Sequence, residues 1–327
     1  MIIYVKVPND GIKQIPLNET DNIPTNTLWI DLIKINIEEE KKLEDLLKIN
    51  IPTAEETQSI FISNRLYEEN KAIYMSITLY HSQKGNANLL EAKVLTFVLV
   101  NKILITIRDF ESNYLYDSLN SDSEKYYLTN SNAGLSLLLV FLRKIINEAA
   151  SFLEEIGHNL DDQNKYILNS NINNKNKPNH KMILKEINNM GNSVSKIRES
   201  LITISRMIIF LSQSSVMDNE DSVGKNLKIF LKDISALSDH STFLSNKVSF
   251  LLDALLGLIN IEQNNIIKIF SLLSVVFMPP TLIASIYGMN FEFMPELKWF
   301  GGYPAALIFM CISSWVPYKY FKKKKWL

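Results

Sequence analysis

The sequence predicts an α+β domain, followed by long helices and a C-terminal hairpin of two transmembrane helices. Three observations predict this fold class. Short runs of β-branched and aromatic residues fill about the first 110 residues, helical spacing of apolar residues dominates from about residue 135, and two long runs near the C-terminus contain no charged residue. With 327 residues, the chain is long enough for one domain and a membrane module.

Residues 1–134 are predicted to form the α+β domain. Its strands are predicted where short runs alternate or are rich in β-branched residues, in IIYVKV, TLWIDL, AIYMSITLY, AKVLTFVLV and ILITIRDF. The spacing of Leu43, Leu46 and Leu47 predicts a helix in the segment IEEEKKLEDLLKI. Asn101 and Lys102 stand between the last two runs, and this position predicts a tight hairpin turn.

Residues 135–265 are predicted to be helical. One long helix begins at Leu135, a second extends from about Met182 to Gln213, and a third extends over about 222–287. The asparagine-rich segment 169–180 contains Pro178, and we expect it to form the turn between the first two helices. The third helix is therefore a stalk that continues into the membrane.

Two membrane spans are predicted near the C-terminus, at 266–290 and 299–318, with a short loop at 291–298 and a basic tail at 319–327. No charged residue occurs between residues 269 and 291, or within the second span. Each run reaches the ~20 residues that an α-helix needs to cross a ~30 Å hydrocarbon core. The alternative is a buried helical hairpin in a soluble core, which two such long charge-free runs disfavour.

Basic residues near the spans predict the orientation. The tail carries Lys319 and four consecutive lysines at 322–325, whereas the loop between the spans carries Glu292 and Glu296 against Lys298. Segments on the cytoplasmic side of a membrane are enriched in Lys and Arg. Both termini are therefore predicted to be cytoplasmic, and the acidic loop is predicted to face outside.

The third helix carries two stripes of residues that are spaced by three and four, and the apolar stripe has one seven-residue gap, at Ser241. The apolar stripe predicts packing against copies of the same helix, and its members are Phe230, Ile234, Leu237, Leu244, Val248, Leu251, Leu255 and Leu258. The polar stripe carries small and polar residues into the first span, and its members are Asn246, Phe250, Asp253, Gly257, Asn260, Asn264, Ile267, Ser271, Ser274, Met278, Thr281 and Ser285.

The polar stripe has two interpretations. Small residues often mediate close helix packing in membranes, which predicts a tight seam between copies of the chain. Polar positions within a span also tend to face a bundle interior or a water-filled path, and Asp253 with its asparagine neighbours favours the path. Because one helix cannot enclose a path, this interpretation predicts a homo-oligomer whose first spans surround an axis.

The first span ends in Gly288-Met289-Asn290, and these residues could bind a hydrated cation. Glycine leaves its carbonyl accessible, and asparagine supplies a neutral amide oxygen. Mg²⁺ tends to keep several waters when it is bound, and neutral oxygens can hydrogen-bond those waters weakly enough for release. The alternative is a helix C-terminal cap that happens to contain glycine and asparagine.

Composition and motifs argue against other function classes. The formal net charge of −1 does not suggest the basic face of a nucleic-acid-binding protein. Cys311 is the single cysteine and the four histidines are scattered, so no Cys or His metal site is predicted. The sequence has no catalytic triad and no Gly-rich phosphate loop. Neither enzyme activity nor a bound cofactor is therefore predicted, and a membrane-anchored scaffold remains the alternative class.

The C-terminal residues resemble the CorA family of magnesium transporters. The resemblance rests on YGMNFEFMPELKW, on the preceding NIEQNNIIKIFSLLSVVFMPPTLIAS, and on the final PYKYFKKKKWL, and it covers roughly residues 240–327. The fragments WIDL, IPTAEE and ITIRD extend the likeness to the N-terminal part. The match is closest to the proteobacterial members that transport magnesium and cobalt.

This resemblance implies a homopentamer with a funnel-shaped cytoplasmic domain, anchored in the lipid bilayer of the inner membrane. It implies uptake of hydrated Mg²⁺, and also of Co²⁺ or Ni²⁺, down the electrochemical gradient. Gly288, Met289 and Asn290 would then form the outer selectivity filter. The residues that would line the pore or its gate are Asn264, Ile267, Ser271, Ser274, Met278, Thr281 and Ser285.

Further roles follow from the resemblance alone. Glu292 and Glu296 would attract cations to the outer mouth; the alternative is that they are simply solvated charges of the loop. Mg²⁺ would also regulate transport by binding acidic cytoplasmic residues. The chain departs from the family's acidic pattern after IPT, where it reads AEETQS, and the candidate regulatory residues are Asp233, Asp253, Glu55 and Glu56. Zn²⁺ transport, as in a sibling branch, is the alternative, but the Met-Pro-Glu-Leu sequence favours the magnesium branch.

Overall fold

The computed structural model describes residues 2–7, 11–16, 23–24, 26–34, 37–52, 62–82, 90–111, 132–169, 179–214, 221–290, 292 and 294–324. The chain divides into two compact units, Met1–Leu252 and Asp253–Leu327. The first unit contains a sheet with helices packed on it, and the second contains the apolar C-terminal helices.

A seven-stranded mixed sheet forms the centre of the first unit. Its strands are β1 (Ile2–Val7), β2 (Gly11–Pro16), β3 (Thr27–Ile33), β4 (Leu66–Glu69), β5 (Ala72–Ser82), β6 (Leu90–Val100) and β7 (Ile103–Arg108). The strand order is β2-β1-β3-β7-β6-β5-β4, with β3 parallel to β7 and all other neighbours antiparallel. All five predicted runs form strands, whereas β2 and β4 were not predicted.

Two tight turns connect neighbouring antiparallel strands. Asn101 and Lys102 join β6 to β7 with φ values of 48° and 69°, which confirms the predicted hairpin turn. Asn70 and Lys71 join β4 to β5 in the same way, with φ values of 50° and 63°. Two-residue hairpin loops favour a positive φ at both central residues, and asparagine tolerates that conformation better than most residues.

Long helices follow the sheet, as predicted. The helices are α1 (Ile37–Leu47), α2 (Ile62–Arg65), α3 (Ala133–Asn169), α4 (His180–Ser212), α5 (Asp221–Tyr287) and α6 (Gly302–Lys323), with a 3₁₀ turn at Pro295–Lys298. The stalk predicted at about 222–287 corresponds to α5. The helix of the predicted second span begins at Gly302 rather than Trp299 and continues past Tyr318 into the basic tail.

Apolar side chains cover both faces of the central strands. Ile30 and Leu32 of β3 pack with Leu43 of α1 in one buried cluster. Successive residues of a strand point to opposite faces, and Trp29 accordingly meets α3, where its ring lies edge-on to Phe141 at 4.9 Å between centroids. The helices α3 and α4 cover this second face of the sheet.

The apolar stripe of α5 is buried within the single chain. A Cβ added to Gly157 of α3 would lie 3.6 Å from Leu244 Cδ2, and one added to Gly191 of α4 would lie 3.0 Å from Val248 Cγ1. The stripe residues that are buried within the first unit are Phe230, Ile234, Leu244, Val248 and Leu251. The prediction that these residues pack against copies of the chain is therefore wrong, because α3 and α4 of the same chain already cover them.

An ion pair fixes α5 to α3 beside this apolar seam. Lys247 Nζ donates a hydrogen bond to Asp161 Oδ1 at 2.7 Å. The hydrogen bond and charge of Lys247 lower the pKa of the Asp161 carboxyl. Because its folded-state pKa is lowered, this carboxylate favours the folded state above its unfolded-state pKa, and the contribution disappears as the pH falls through the folded-state pKa.

Candidate functional site

The helix α5 ends immediately before Gly288-Met289-Asn290. Gly288 N–H donates to the Ala284 carbonyl at 2.9 Å, and Met289 N–H donates to the Ile286 carbonyl at 3.3 Å. Asn290 lies beyond the helix, and all three residues of the motif are exposed. The motif therefore provides accessible backbone and amide groups directly after an apolar helix.

Gly288 has a steric role at this helix end. It does not adopt the left-handed conformation of the common glycine cap, and a Cβ at its position would lie 3.1 Å from the Ala284 oxygen. The side-chain amide of Asn290 makes no hydrogen bond to another of the described residues. Its oxygen and its two N–H donors are therefore available to water or to the water shell of an ion.

The polar stripe of α5 is exposed along its whole length, from Asn246 to Ser285. The exposed fraction of Met278 is 68%, and that of Ile267 is 60%. Within the span, two hydroxyls of the stripe donate to carbonyls one turn earlier: Ser274 Oγ to Phe270 at 3.0 Å and Thr281 Oγ1 to Phe277 at 2.7 Å. Each hydroxyl thus donates within the helix itself, and its oxygen can still accept a hydrogen bond from water.

The helix α6 lies on the other side of α5 from the polar stripe. Ser314 Oγ donates to the Val276 carbonyl at 3.0 Å, so α6 contacts α5 at Val276. At about 100° per residue, Val276 lies roughly 180° around the helix from the centre of the stripe. The half-buried residues on this side of α5 include Leu272, Val276, Pro279, Pro280 and Ile283. The second unit therefore leaves the polar stripe uncovered by its own chain.

The predicted acidic residues do not converge on one site in the described part of the chain. Glu292 is exposed, and Glu296 lies in the 3₁₀ turn Pro295–Lys298. Asp233 and Asp253 are exposed on α5. Glu55 and Glu56 lie outside the described residues. No group of three His, Cys, Asp or Glu side chains that could hold a metal ion occurs among the residues described.

Sequence reasoning missed one feature of the apolar helices, namely the hydrogen bond from Ser314 to the Val276 carbonyl. The sequence did indicate that a donor is needed here, because Pro279 and Pro280 each lack the backbone N–H that would bond to a carbonyl one turn earlier. A hydroxyl on the neighbouring helix is an obvious replacement donor, but the sequence alone does not place Ser313 or Ser314 next to the free carbonyl.

One described helix, α5, is long and apolar enough to cross a membrane by length and composition. The first predicted span lies within it. The helix α6 exists, but its role as a second span remains a prediction. The pentamer likewise stays a prediction.

Sequence comparisons match nearly the whole chain. The family model described as "CorA-like Mg2+ transporter protein" matches residues 25–323. The chain is 32% identical over 328 residues to "Magnesium transport protein CorA" of Escherichia coli (strain K12), and both proteins are covered completely. It is also 32% identical over 331 residues to the protein of the same name in Yersinia pseudotuberculosis, again with complete coverage of both.

Solved structures share the fold at lower identity. The complete CorA magnesium transporter from Methanocaldococcus jannaschii matches with a TM-score of 0.78 and 18% identity, over 100% of this chain and 99% of that one. The cytoplasmic domain of ZntB from Vibrio parahaemolyticus matches with a TM-score of 0.57 and 12% identity, over 80% of this chain and 98% of that one. From the family model and the full-length relatives together, the chain belongs to the CorA-like Mg²⁺ transporter family.

Proposed function

We propose that this chain carries hydrated Mg²⁺ across the inner membrane and into the cell. The observation that carries the proposal is the exposed polar stripe of α5, which lies opposite α6 and is followed immediately by Gly288-Met289-Asn290. Membership of the family supports the same substrate, and its curated relatives in Escherichia coli and Yersinia are named magnesium transport proteins.

Five copies of the chain enclose the pathway in this proposal. Each α5 turns its polar stripe toward a common axis, and α6 lies outside it as the second span. Cyclic symmetry converts each stripe residue into a ring, so Asn264, Met278 and Asn290 become successive rings along the path. Exposure of the stripe in the single chain, with α6 on the opposite side, supports this arrangement.

The C-terminal end of α6 supports a location in the membrane with the basic tail in the cytoplasm, and two spans then place both termini there. Lys319 Nζ lies 4.5 Å from the centroid of the Trp315 ring, and Lys324 Nζ lies 5.2 Å from that of Tyr320. Aromatic and basic residues of this kind are enriched where a span meets the membrane surface, and lysines are enriched on the cytoplasmic side. The acidic Glu292 then lies at the outer mouth, where a negative charge attracts cations.

The membrane potential can drive this transport. Moving a divalent ion inward through about 100 mV yields roughly 4.6 kcal/mol, because each elementary charge contributes about 2.3 kcal/mol. The Gly-Met-Asn ring binds the water shell of the ion through neutral oxygens, which is weak enough to allow release. Co²⁺ and Ni²⁺ are similar hydrated divalent ions, and we extend the proposal to them.

Regulation by intracellular Mg²⁺ is a separate part of the proposal. Asp233 and Asp253 are exposed on α5 and can bind Mg²⁺ with acidic groups of a neighbouring copy, and Glu55 and Glu56 are the other candidates. High Mg²⁺ inside reconstituted vesicles should then slow uptake. Unchanged uptake under that condition would remove this regulatory role.

The first experiment measures Mg²⁺ entry into proteoliposomes that contain a Mg²⁺ indicator and hold an inside-negative potential. Replacing Asn290→Ala removes one amide from every copy, and we expect uptake to fall by about tenfold or more, because several neutral hydrogen bonds of roughly 0.5–1.5 kcal/mol each are lost from the ring. Asn265→Ala is the matched control. Asn265 lies about 100° around α5 from Asn264 and off the polar stripe, and its replacement should leave uptake unchanged.

The results distinguish the remaining alternatives. Equal uptake by the Asn290→Ala variant and the parent protein would exclude Asn290 from the selectivity filter. Uptake of Zn²⁺ in preference to Mg²⁺ would favour the sibling branch. A correctly assembled protein that carries none of these divalent ions would favour a membrane-anchored scaffold.

A further inference from the structure

Two consecutive prolines interrupt the hydrogen bonding of α5 within the predicted first span. Pro279 and Pro280 have no backbone N–H, so the carbonyls of Val275 and Val276 lose their regular donors four residues later. Inside a bilayer no water is available to replace such a donor, and a free carbonyl is therefore costly. The helix remains continuous through this position, from Asp221 to Tyr287.

The second helix of the same unit supplies a donor at this position. Ser314 of α6 donates its hydroxyl to the Val276 carbonyl, with 3.0 Å between the oxygens. The Val276 carbonyl is the one that Pro280 leaves without its regular donor. The missing N–H of Pro280 therefore explains why the Ser314 hydroxyl bonds to this particular carbonyl.

The neighbouring serine shows that the contact is specific to one position. Ser313 donates its hydroxyl to the Met310 carbonyl at 2.8 Å, within α6 itself. Thr281, next to the prolines, likewise donates within its own helix to the Phe277 carbonyl. Of these three hydroxyls, Ser314 alone connects the two helices.

We propose that Ser314 supplies the hydrogen-bond donor that Pro280 lacks, and that it thereby positions α5 so that Ser274 and Met278 face the pathway. Ser314 is a positioning residue because it lies on α6, away from the polar stripe. Its bond fixes the side of α5 that lies opposite the stripe, at the same level of the helix. The consequence for transport rests on the proposed function, whereas the bond to Val276 does not.

The hydrogen bond from Ser314 keeps α5 and α6 together at the proline-containing turn. A proline-containing turn has fewer internal hydrogen bonds and can adjust its local geometry more easily than a regular turn. A donor from α6 restricts this adjustment to arrangements that keep Val276 close to Ser314. Loss of the donor should allow the turn to rotate or shift, and the rings formed by Ser274 and Met278 would then lose their alignment.

A double-mutant cycle tests the proposal in the full-length protein, reconstituted as above. Ser314→Ala should lower the maximal rate of Mg²⁺ uptake by roughly three- to tenfold, the range expected for one hydrogen bond, with little change in the half-saturating Mg²⁺ concentration. Pro280→Ala restores a backbone N–H to Val276. In that background Ser314→Ala should have no further effect, so the two substitutions should be strongly non-additive.

Two further variants serve as controls. Ser313→Ala removes a neighbouring hydroxyl that bonds within α6, and it should leave uptake unchanged. Ser314→Thr keeps a hydroxyl at the same position and should restore most of the activity. This rescue also tests the proposal if the Pro280→Ala variant fails to assemble.

The thermal stability of the purified protein in detergent provides a readout that does not depend on transport. Ser314→Ala should lower the melting temperature in the parent background and not in the Pro280→Ala background. If the parent protein transports no divalent ion, the proposed function fails, and this second cycle still tests the hydrogen bond. Equal effects of Ser314→Ala in both backgrounds, or equal effects of Ser314→Ala and Ser313→Ala, would overturn the proposal.

Discussion

At the scale of single residues, a buried ion pair joins the two parallel strands at the centre of the sheet. Arg108 donates from Nε to Asp31 Oδ1 at 3.1 Å and from Nη2 to Asp31 Oδ2 at 2.7 Å, and both side chains are completely buried. Thr106 donates to Asp31 Oδ1 at 2.6 Å, and Trp29 Nε1 donates to Thr106 Oγ1 at 2.8 Å. Burial of these charges is tolerable because their hydrogen bonds are extensively satisfied.

Replacing Asp31→Asn should therefore destabilise the first unit strongly. The substitution leaves the buried Arg108 charge without its counter-ion, which typically costs about 3–5 kcal/mol. Asp109→Asn is the control, since Asp109 is 66% exposed and contacts Lys93 at 3.4 Å. Exposed pairs contribute about 0–1 kcal/mol. The melting temperature of the full-length protein should fall by many degrees for Asp31→Asn and hardly at all for Asp109→Asn, and equal falls would contradict the argument.

The sequence predicts residues whose role depends on neighbours along the chain, but not residues whose role depends on contacts between distant segments. The position of Gly288-Met289-Asn290 after α5 could be predicted because it depends on local order along the chain. The pairing of Asp31 with Arg108 could not be predicted, since it depends on β3 lying beside β7, 77 residues away. Likewise, the sequence showed both Ser314 and Pro280, but only the packing of α6 on α5 brings the hydroxyl to the Val276 carbonyl.

At the scale of elements, the start of α3 packs directly on the turn between β6 and β7. Gly134 N–H donates to the Lys102 carbonyl at 2.9 Å. A Cβ at Gly134 would lie 2.6 Å from that oxygen and 2.9 Å from Leu104 N, both of which are backbone atoms. Backbone atoms of a sheet cannot move aside as a side chain can. The close approach of α3 to this hairpin therefore requires glycine at position 134.

Gly134→Ala should consequently lower the stability of the first unit. The added methyl group must push α3 away from the hairpin and weaken the hydrogen bond to Lys102, and overpacking of this kind costs about 1–3 kcal/mol. Gly157→Ala in the same helix is the matched control, because its Cβ would make an ordinary 3.6 Å contact with Leu244 Cδ2. Alanine is preferred over glycine within helices by about 1 kcal/mol. Thermal unfolding should therefore rank Gly157→Ala above the parent protein and Gly134→Ala below it; the reverse order would contradict this explanation.

Prediction of the elements succeeded where their signal is local. Five strands, the Asn101-Lys102 turn and the long helices follow from composition and spacing along the chain. The strand β4 was not predicted because LYEE is short and half charged. The strand β2 was not predicted because the two isoleucines of GIKQIP are separated by two polar residues and do not alternate. The packing partner predicted for the apolar stripe of α5 was wrong. A spacing of three and four shows that one side of a helix is buried, but it is the same whether the covering helices belong to another copy or, as here, to the same chain.

At the scale of the whole molecule, function in this proposal depends on several copies of the chain. The sequence predicts the polar stripe, and the structure places α6 on the opposite side of α5. The fivefold arrangement comes from the family resemblance. A pore and a tight seam between two helices differ in one measurable respect, which is whether stripe residues from several copies converge on the ion path.

Cadmium block of cysteine variants tests this convergence. In a Cys311→Ser background, which removes the single native cysteine, Ser274→Cys places a thiol on the stripe and Ile283→Cys places one on the side that faces α6. Cysteine thiolates from several copies around an axis can together bind a soft divalent ion such as Cd²⁺ across the path. Micromolar Cd²⁺ should therefore stop Mg²⁺ uptake by the Ser274→Cys variant, and a thiol reductant that chelates Cd²⁺ should restore it. The Ile283→Cys variant should stay active in Cd²⁺, because its thiols point away from the axis.

Equal sensitivity of the two variants to Cd²⁺, or no sensitivity in either, would contradict the pore. The polar stripe would then lie in a seam between helices, and the ion path would not include it.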